Sequence, residues 1–582
     1  MKLPTLSAAS QSRTMIDKFL GYNANMRGSD GEWSNLNNMT SDYYPLIATR
    51  HDRGYVTALK ALAGITAKDA PIYVDGTSIY VNGYWIDMNL SAKPEDCPKQ
   101  LISMGAYLII WPDKKYINTK DLTDYGPMGA VWELGNTVQC SYTMCKADGS
   151  SVDIKTVSSK EPSKPANGDY WIDTSQKKHS LKVWSDTSAM WISVATTYIK
   201  ISAPNIGKVF SEGDGVTISG CTECADLNTT LVIQSKSDDS IIVIGLIDTI
   251  GNQTGGLKVS RSIPDMDYIT ESNNRLWGCY CGIKDGKMVN EIYASKLGDF
   301  KNFNCCAGTS TDSYAASLGT DGVFTGAVSY QGYPTFFKEN YMHKVYGAYP
   351  AQYQITSSEC RGVERGSFRS LCIINEVLYY KSVSGICAYA GALPQSISAK
   401  LGNLDMHEAV AGGTGNKLYM TGHDSKGAYC MYVYDTNLGI WHLEKGVNAM
   451  MFASYDNALY YIDADSNKIV AVNNSAITER EGSVTWEAVT CIFGYDYPDH
   501  KYLSRFNLRM KLEENSRMEI FCEYDSSGIW IKQGEISGKG IDTFTVPVIP
   551  RRCDHMRIKF KGEGQIFIYS FTRILEEGSD CR

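Results

Sequence analysis

The sequence predicts an all-β chain: a six- or seven-bladed β-propeller with an inserted small β domain and a C-terminal β-sandwich. Three observations predict it. First, a turn residue, a bulky apolar residue and an aromatic recur in order. The pattern appears in Asn375-Glu376-Val377-Leu378-Tyr379-Tyr380, Asn416-Lys417-Leu418-Tyr419 and Asn457-Ala458-Leu459-Tyr460-Tyr461, with the leucines roughly 40 residues apart. Blades of about that length cannot bury their own faces and pack around an axis. Second, Asp75-Gly76 and Asn82-Gly83 separate short apolar runs, and such pairs favour the positive φ of tight hairpin turns. Third, the texture changes twice, near residue 137 and near residue 479.

Residues 1–54 read as an extended N-terminal arm. Gly21, Asn23, Gly28, Asp30, Gly31, Asn35, Asn37 and Asn38 punctuate it, and apolar anchors are too sparse for a local core. Such an arm needs another surface, either the chain's own propeller or a neighbouring subunit. Trp33, Tyr43 and Tyr44 are the expected anchors at a subunit or portal-side interface. Deletion of residues 1–40 is expected to leave the propeller folded.

Residues 55–136 carry the first blades, around Ile72-Tyr73-Val74, Ile79-Tyr80-Val81, Tyr84-Trp85-Ile86 and Tyr107–Trp111. Residues 137–262 are richer in Ser, Lys, Asp and Thr and read as an inserted β-sandwich or barrel. Residues 263–478 hold the remaining blades. Residues 479–582 read as seven or eight short strands at roughly ten-residue spacing, a C-terminal β-sandwich.

The chain has 582 residues, with 56 basic against 64 acidic side chains and a formal charge of −8. A global basic field for gripping nucleic acid is absent. The start, Met1-Lys2-Leu3-Pro4, lacks the apolar core of a secretion signal, and no run is long enough to span a membrane. The 17 scattered cysteines read as reduced thiols of a protein made in a bacterial cytoplasm.

Candidate chemistry is thin. Cys221-Thr222-Glu223-Cys224 has zinc-knuckle spacing, but Cys140 and Cys145 are poorly spaced to complete it, and no metal or cofactor is expected. Cys305-Cys306 are adjacent, which is poor geometry for a disulfide between them. Arg551-Arg552-Cys553-Asp554-His555 groups reactive side chains that cannot all converge if they lie on one strand. Asp525-Ser526-Ser527-Gly528-Ile529-Trp530 and Asp435-Thr436-Asn437-Leu438-Gly439-Ile440-Trp441 approximate a sialidase Asp-box with the wrong gaps and read as turns before a packed Trp. Gly412-Gly413-Thr414-Gly415 precedes a strand, so it presents no helix N-terminus to a phosphate. No catalytic residue is expected. Trp171, Trp184 and Trp191 are a candidate aromatic platform for a glycan.

Several stretches together resemble one family. Phe19-Leu20-Gly21-Tyr22-Asn23, Asn35-Leu36, Tyr44-Pro45-Leu46, Arg50 and Arg53 resemble the N-terminal arm of bacteriophage tail-nozzle proteins of the tail tubular protein B type. Asn274-Arg275-Leu276-Trp277-Gly278 and Ile292–Phe303, ending Gly298-Asp299-Phe300-Lys301-Asn302-Phe303, are similar to a passage in a nozzle propeller blade. Gly366-Ser367-Phe368-Arg369-Ser370 with Gly385-Ile386-Cys387-Ala388-Tyr389 resembles related phage structural proteins. The resemblance covers the arm and propeller. It implies a non-catalytic virion subunit of the tail, in a nozzle, hub or neck ring, commonly sixfold, around the DNA exit channel. Its partners would be copies of itself, portal or adaptor proteins, and DNA passing without sequence-specific contact. A receptor- or glycan-binding tail module, with a host surface glycan as partner, is the alternative; a propeller glycosidase is a third.

Overall fold

The computed structural model describes residues 11–577 apart from 26, 475 and 496–499. The start of the arm, including Met1–Pro4, and Cys581 lie outside the described residues. The described chain is almost entirely β, and none of its helices is long and apolar enough to cross a membrane. Contacts divide it into two units. One holds 1–99, 337–342 and 358–582; the other holds 100–336 and 343–357.

The architecture is propeller-like, with seven four-stranded antiparallel blades. Blade 1 spans residues 62–87, blade 2 100–127, blade 3 268–317, blade 4 326–359, blade 5 372–396, blade 6 407–445 and blade 7 449–471. Blade 7 supplies three strands of its own. Its fourth is Gly54–Ala58, which pairs with Lys468–Ala471 across almost the whole chain. In the first unit the opening strands of blades 5, 6, 7 and 1 pack in succession; in the second, those of blades 2, 3 and 4 do so.

The repeat has a local cause. Asn375 and Glu376, Asp456 and Asn457, and Asn273 and Asn274 all hold φ between 48° and 67°, the type I′ geometry that matches strand twist. Each turn drops its leucine (378, 459 and 276) into a blade core, where all three are fully buried, as is Leu418 of blade 6. Asn375 Nδ2 donates to Asn416 Oδ1 of the next blade at 2.8 Å, so the turns are also tied to one another.

The insertion begins earlier than the change of texture suggested. Ala130–Glu133 pairs in register with Lys258–Arg261, so the first and last strands of the insertion lie side by side. Its eight-stranded sheet covers a core that includes Tyr142, Ile199, Ile201, Val216, Val243 and Val259. A separate four-stranded sheet, from Ile154–Ser158 to Met190–Ser193, is attached to it.

The C-terminal region consists of fewer, longer strands than expected. Lys501–Tyr524 is one strand of 24 residues and Trp530–Val546 one of 17. Along one edge of the first, residues 501–512 pair with Ile566–Glu577 and residues 517–524 with Met556–Glu563; the register shifts between Leu512 and Ser516 on the other edge. At this bulge, with Asn515 at φ 62°, the ribbon folds over. Phe506 and Phe560 prove it, because Phe560 pairs with Ile520. A straight strand would hold positions 506 and 520 about 45 Å apart, yet the Phe506 and Phe560 rings lie 6.0 Å apart. The two halves therefore face each other as a sandwich.

The arm completes this sandwich. Trp33–Asn37 pairs with Thr485–Thr490, Gln11–Ile16 with the end of Ile566–Glu577, and Ile47–Thr49 with its start. Phe19, Trp33, Leu36, Met39 and Ile47 enter one core with Phe506, Phe560 and Phe571, together with Ile440 and Leu443 of blade 6. The expectation that Trp33 anchors a subunit interface is corrected: it is fully buried within its own chain, packed on Phe560 and Phe571. The arm lacks a core of its own because it is the missing part of a core 450 residues downstream.

Candidate functional site

The most charged region of the first unit lies where the arm crosses blades 6 and 7. The arm turns sharply to get there. Gly21 holds φ +78°, and a Cβ on it would meet the Trp441 carbonyl oxygen at 2.4 Å, so only glycine fits. Beyond it the arm runs along the outer strand of blade 6, with Asn38 N–H donating to Leu443 O at 3.0 Å and Lys445 Nζ to Asn35 Oδ1 at 2.7 Å.

Together these elements line a cleft of about 520 Å³, within the size range of small-molecule sites. Its charges are matched internally. Glu444, buried, takes Arg53 and, at 3.2 Å, Arg50; Arg50 also pairs with Glu481. Lys417 Nζ reaches Asp42 at 2.5 Å, and Arg480 reaches Asp52 at 2.6 Å. Asp435 accepts from the Ser41 hydroxyl at 2.8 Å. Burial alone would raise the Asp42 pKa, but Lys417 and the Thr40 hydroxyl outweigh it and hold the carboxyl below its ordinary value. The Arg480 hydrogen bond lowers Asp52 in the same sense. These four carboxylates are thus committed to cations or hydrogen bonds, and none of them is poised as a general acid.

His442 is the exception in this cleft. It is 2% exposed, and neither ring nitrogen has a protein hydrogen-bond partner. Burial, then the Lys417 charge, push its pKa well below the usual histidine value, against weaker opposing effects of Asp42 and the Met39 backbone. Nothing in the sequence singled it out, because Trp441-His442-Leu443 reads only as a blade strand.

The second matching passage is equally internal. Arg275 is buried, and its guanidinium donates to the carbonyls of Ser295, Ser310 and Asp312 at 2.7, 2.9 and 2.5 Å, organising the loop after the third strand of blade 3. Asn302 joins that loop to the insertion: its Nδ2 donates to Asp214 Oδ1 at 2.9 Å, and its Oδ1 accepts from Gly215 N–H at 2.9 Å.

The other predicted site residues are placed as follows. Tyr43 packs edge-on against Phe567 at 4.8 Å, and Tyr44 is exposed. Trp171 is buried. Its Nε1 donates to Ser158 O, and its ring is flanked by Lys182 and Trp191. As a platform face it is therefore corrected: the ring is covered. Trp191 and Trp184 are half-buried and T-shaped at 5.5 Å, so this trio is a herringbone and offers no flat ladder. Cys140, Cys221 and Cys224 are buried among apolar residues of the insertion core. The described cysteines are free thiols, and among the described residues no cluster of three or more His, Cys, Asp or Glu side chains is placed to hold a metal.

One constellation was missed. The Asp525–Ser526 turn and the Asp554–His555 segment, considered separately in the sequence, are brought together by the long C-terminal strands. Ser526 Oγ lies 2.8 Å from His555 Nε2, and His555 Nδ1 lies 2.9 Å from Asp554 Oδ2.

No known protein family matches the chain, and no curated protein matches it by sequence. Among solved structures, an exo-β-1,3-galactanase from Phanerochaete chrysosporium, solved with galactose, is 10% identical, with 52% of this chain and 95% of that chain covered and a TM-score of 0.22. A Bacillus thuringiensis Cry1Da tryptic core variant is 7% identical, covering 55% and 53%, with a TM-score of 0.12. A further structure described as a glycoside hydrolase is 10% identical, covering 95% and 100%, at 0.13. Likeness this slight carries no argument about chemistry.

Proposed function

We propose that the chain is a structural subunit of a tailed-bacteriophage tail, part of a nozzle, hub or neck ring through which DNA leaves. The observation that carries this reading is where the family-like residues direct their hydrogen bonds. Arg50 and Arg53 join the arm to blade 6 through Glu444, and Arg50 reaches Glu481 beyond blade 7; Arg275 and Asn302 fasten blade 3 and the insertion. Residues that link segments far apart in sequence suit a stationary wall. Net acidity suits one that DNA slides past. The chain's place is the virion tail, with copies of itself in a ring and portal or adaptor proteins as neighbours. Mass spectrometry and antibody labelling of purified phage particles test the proposal. The expected result is a fixed copy number with label on the tail; a chain absent from particles refutes it.

A receptor- or glycan-binding module is the second reading, favoured by the half-exposed Trp184 and Trp191. A glycan array tests it: binding that is lost in Trp184→Ala supports it, and a blank array removes it.

A further inference from the structure

We propose that Ser526, His555 and Asp554 form an esterase centre on the C-terminal sandwich, acting on simple carboxylic esters reached from solvent. This goes beyond the structural role and does not depend on it.

The geometry assigns the protons. An ionised carboxylate only accepts hydrogen bonds, so the 2.9 Å contact with Asp554 places the imidazole proton on Nδ1. Nε2 is then the lone-pair nitrogen, and at 2.8 Å it accepts the Ser526 O–H. Nucleophile, base and orienting acid stand in the order that acyl transfer requires, and such triads are recognised by geometry on unrelated folds. The hydrogen bond to His555 holds the Asp554 carboxyl below its ordinary value, so Asp554 remains the ionised partner.

The surroundings support the arrangement. Asp525 and Ser526 both hold positive φ, 53° and 48°, an uncommon conformation for non-glycine residues that raises the serine on an exposed turn. Asp525 Oδ1 accepts the N–H groups of Asp554 and His555 at 2.7 and 3.3 Å and so fixes that segment against the turn. The Tyr495 ring stacks on the His555 imidazole at 4.9 Å and 29°, which limits rotation of the base. Residues 525–529 are exposed, so the substrate is an ester of short acyl chain or one carried on a larger surface.

In the reaction Ser526 Oγ bonds to the ester carbonyl carbon while its proton passes to His555 Nε2. The carbon–oxygen bond to the alcohol breaks, and the alcohol leaves with that proton. Water, deprotonated by the same nitrogen, then releases the carboxylic acid and restores the serine. Ser526 and His555 are the catalytic residues; Asp554 and Asp525 are positioning residues.

The test uses the full chain with a fluorophosphonate probe and with p-nitrophenyl acetate. Peptide mapping is expected to place the phosphonyl group on Ser526. Ser526→Gly, which accepts the positive φ, abolishes both labelling and the hydrolysis above free imidazole. Ser527→Ala leaves both intact. Asp554→Asn slows labelling by orders of magnitude at an unchanged melting temperature, and Asp554→Glu restores part of it, which a purely structural carboxylate would not do. A wild-type chain unlabelled at Ser526, or one hydrolysing no faster than Ser526→Gly, overturns the proposal.

Discussion

The propeller and the C-terminal sandwich are both antiparallel β structure, yet they are held together in opposite ways. A blade is made almost wholly of neighbours: in blade 6 every strand pairs with the next one in sequence. The sandwich draws its edge strands from the other end of the chain, so that Trp33–Asn37 lies beside Thr485–Thr490. One region is local and repeated; the other is non-local and unique. The difference implies that damage to a blade stays in that blade, whereas damage to the arm reaches a region 450 residues away.

The largest expected effect tests this directly. Deleting residues 11–49 removes five buried anchors from the sandwich core, and hydrogen exchange should show residues 485–577 losing protection while blades 2–4 keep theirs. Trp33→Ala is the single-residue version, expected to cost about 3–5 kcal/mol in denaturant unfolding. An arm deletion that leaves the sandwich protected would erase the distinction drawn here.

Glu444→Gln comes next. It leaves the buried Arg53 without its charge partner, a defect worth about 3–5 kcal/mol in other proteins. The loss should fall on the arm and blade 6 together, read as raised exchange at residues 38–53 and 440–445.

His442→Phe probes the same junction through pH. A buried histidine whose folded pKa is depressed contributes fully above its unfolded pKa, near 6.5, and progressively loses that contribution as pH falls below it. Wild-type stability should therefore decline by about 1.4 kcal/mol per pH unit below that point, until the folded pKa is reached. His442→Phe should lack that component, seen as a shallower fall in melting temperature between neutral pH and the mildly acidic range. Equal slopes in the two proteins would show that His442 finds a proton partner on folding.

The smallest effect belongs to the repeat. Asn457→Ala places a Cβ-bearing residue with no side-chain compensation at φ 58° and should cost about 1–2 kcal/mol, confined to blade 7. Asn457→Gly should cost less, and a reversed order in thermal melts would remove the turn explanation of the repeat.

Legibility followed the same division. The turn–leucine–aromatic pattern exposed the blades because turn, strand and core position sit within six residues of one another. The sandwich was read as seven or eight short strands because Glu513-Glu514-Asn515-Ser516 looks like a turn; it is the bulge at which one strand changes partners. Ala130–Glu133 reads as a blade strand because its alternation is the same, and its true partner lies 125 residues away. Trp33 looked like an anchor for another subunit because nothing nearby could cover it. Ser526 and His555 were both visible, but only strand pairing across 30 residues shows that they meet.

The strand Gly54–Ala58 has a consequence for how the molecule is made. Its partner, Lys468–Ala471, leaves the ribosome some 400 residues later, on the order of a minute at about 5–20 residues per second. Throughout that interval the strand and the arm before it are synthesised but unpaired. Crowded polysomes would bring several such loose ends together, and each fits a neighbouring chain's blade 7 and sandwich as well as its own. Exchange of these segments between chains would preserve every contact described here while linking the copies. Nascent-chain spacing would then decide whether the arm closes one molecule or joins two.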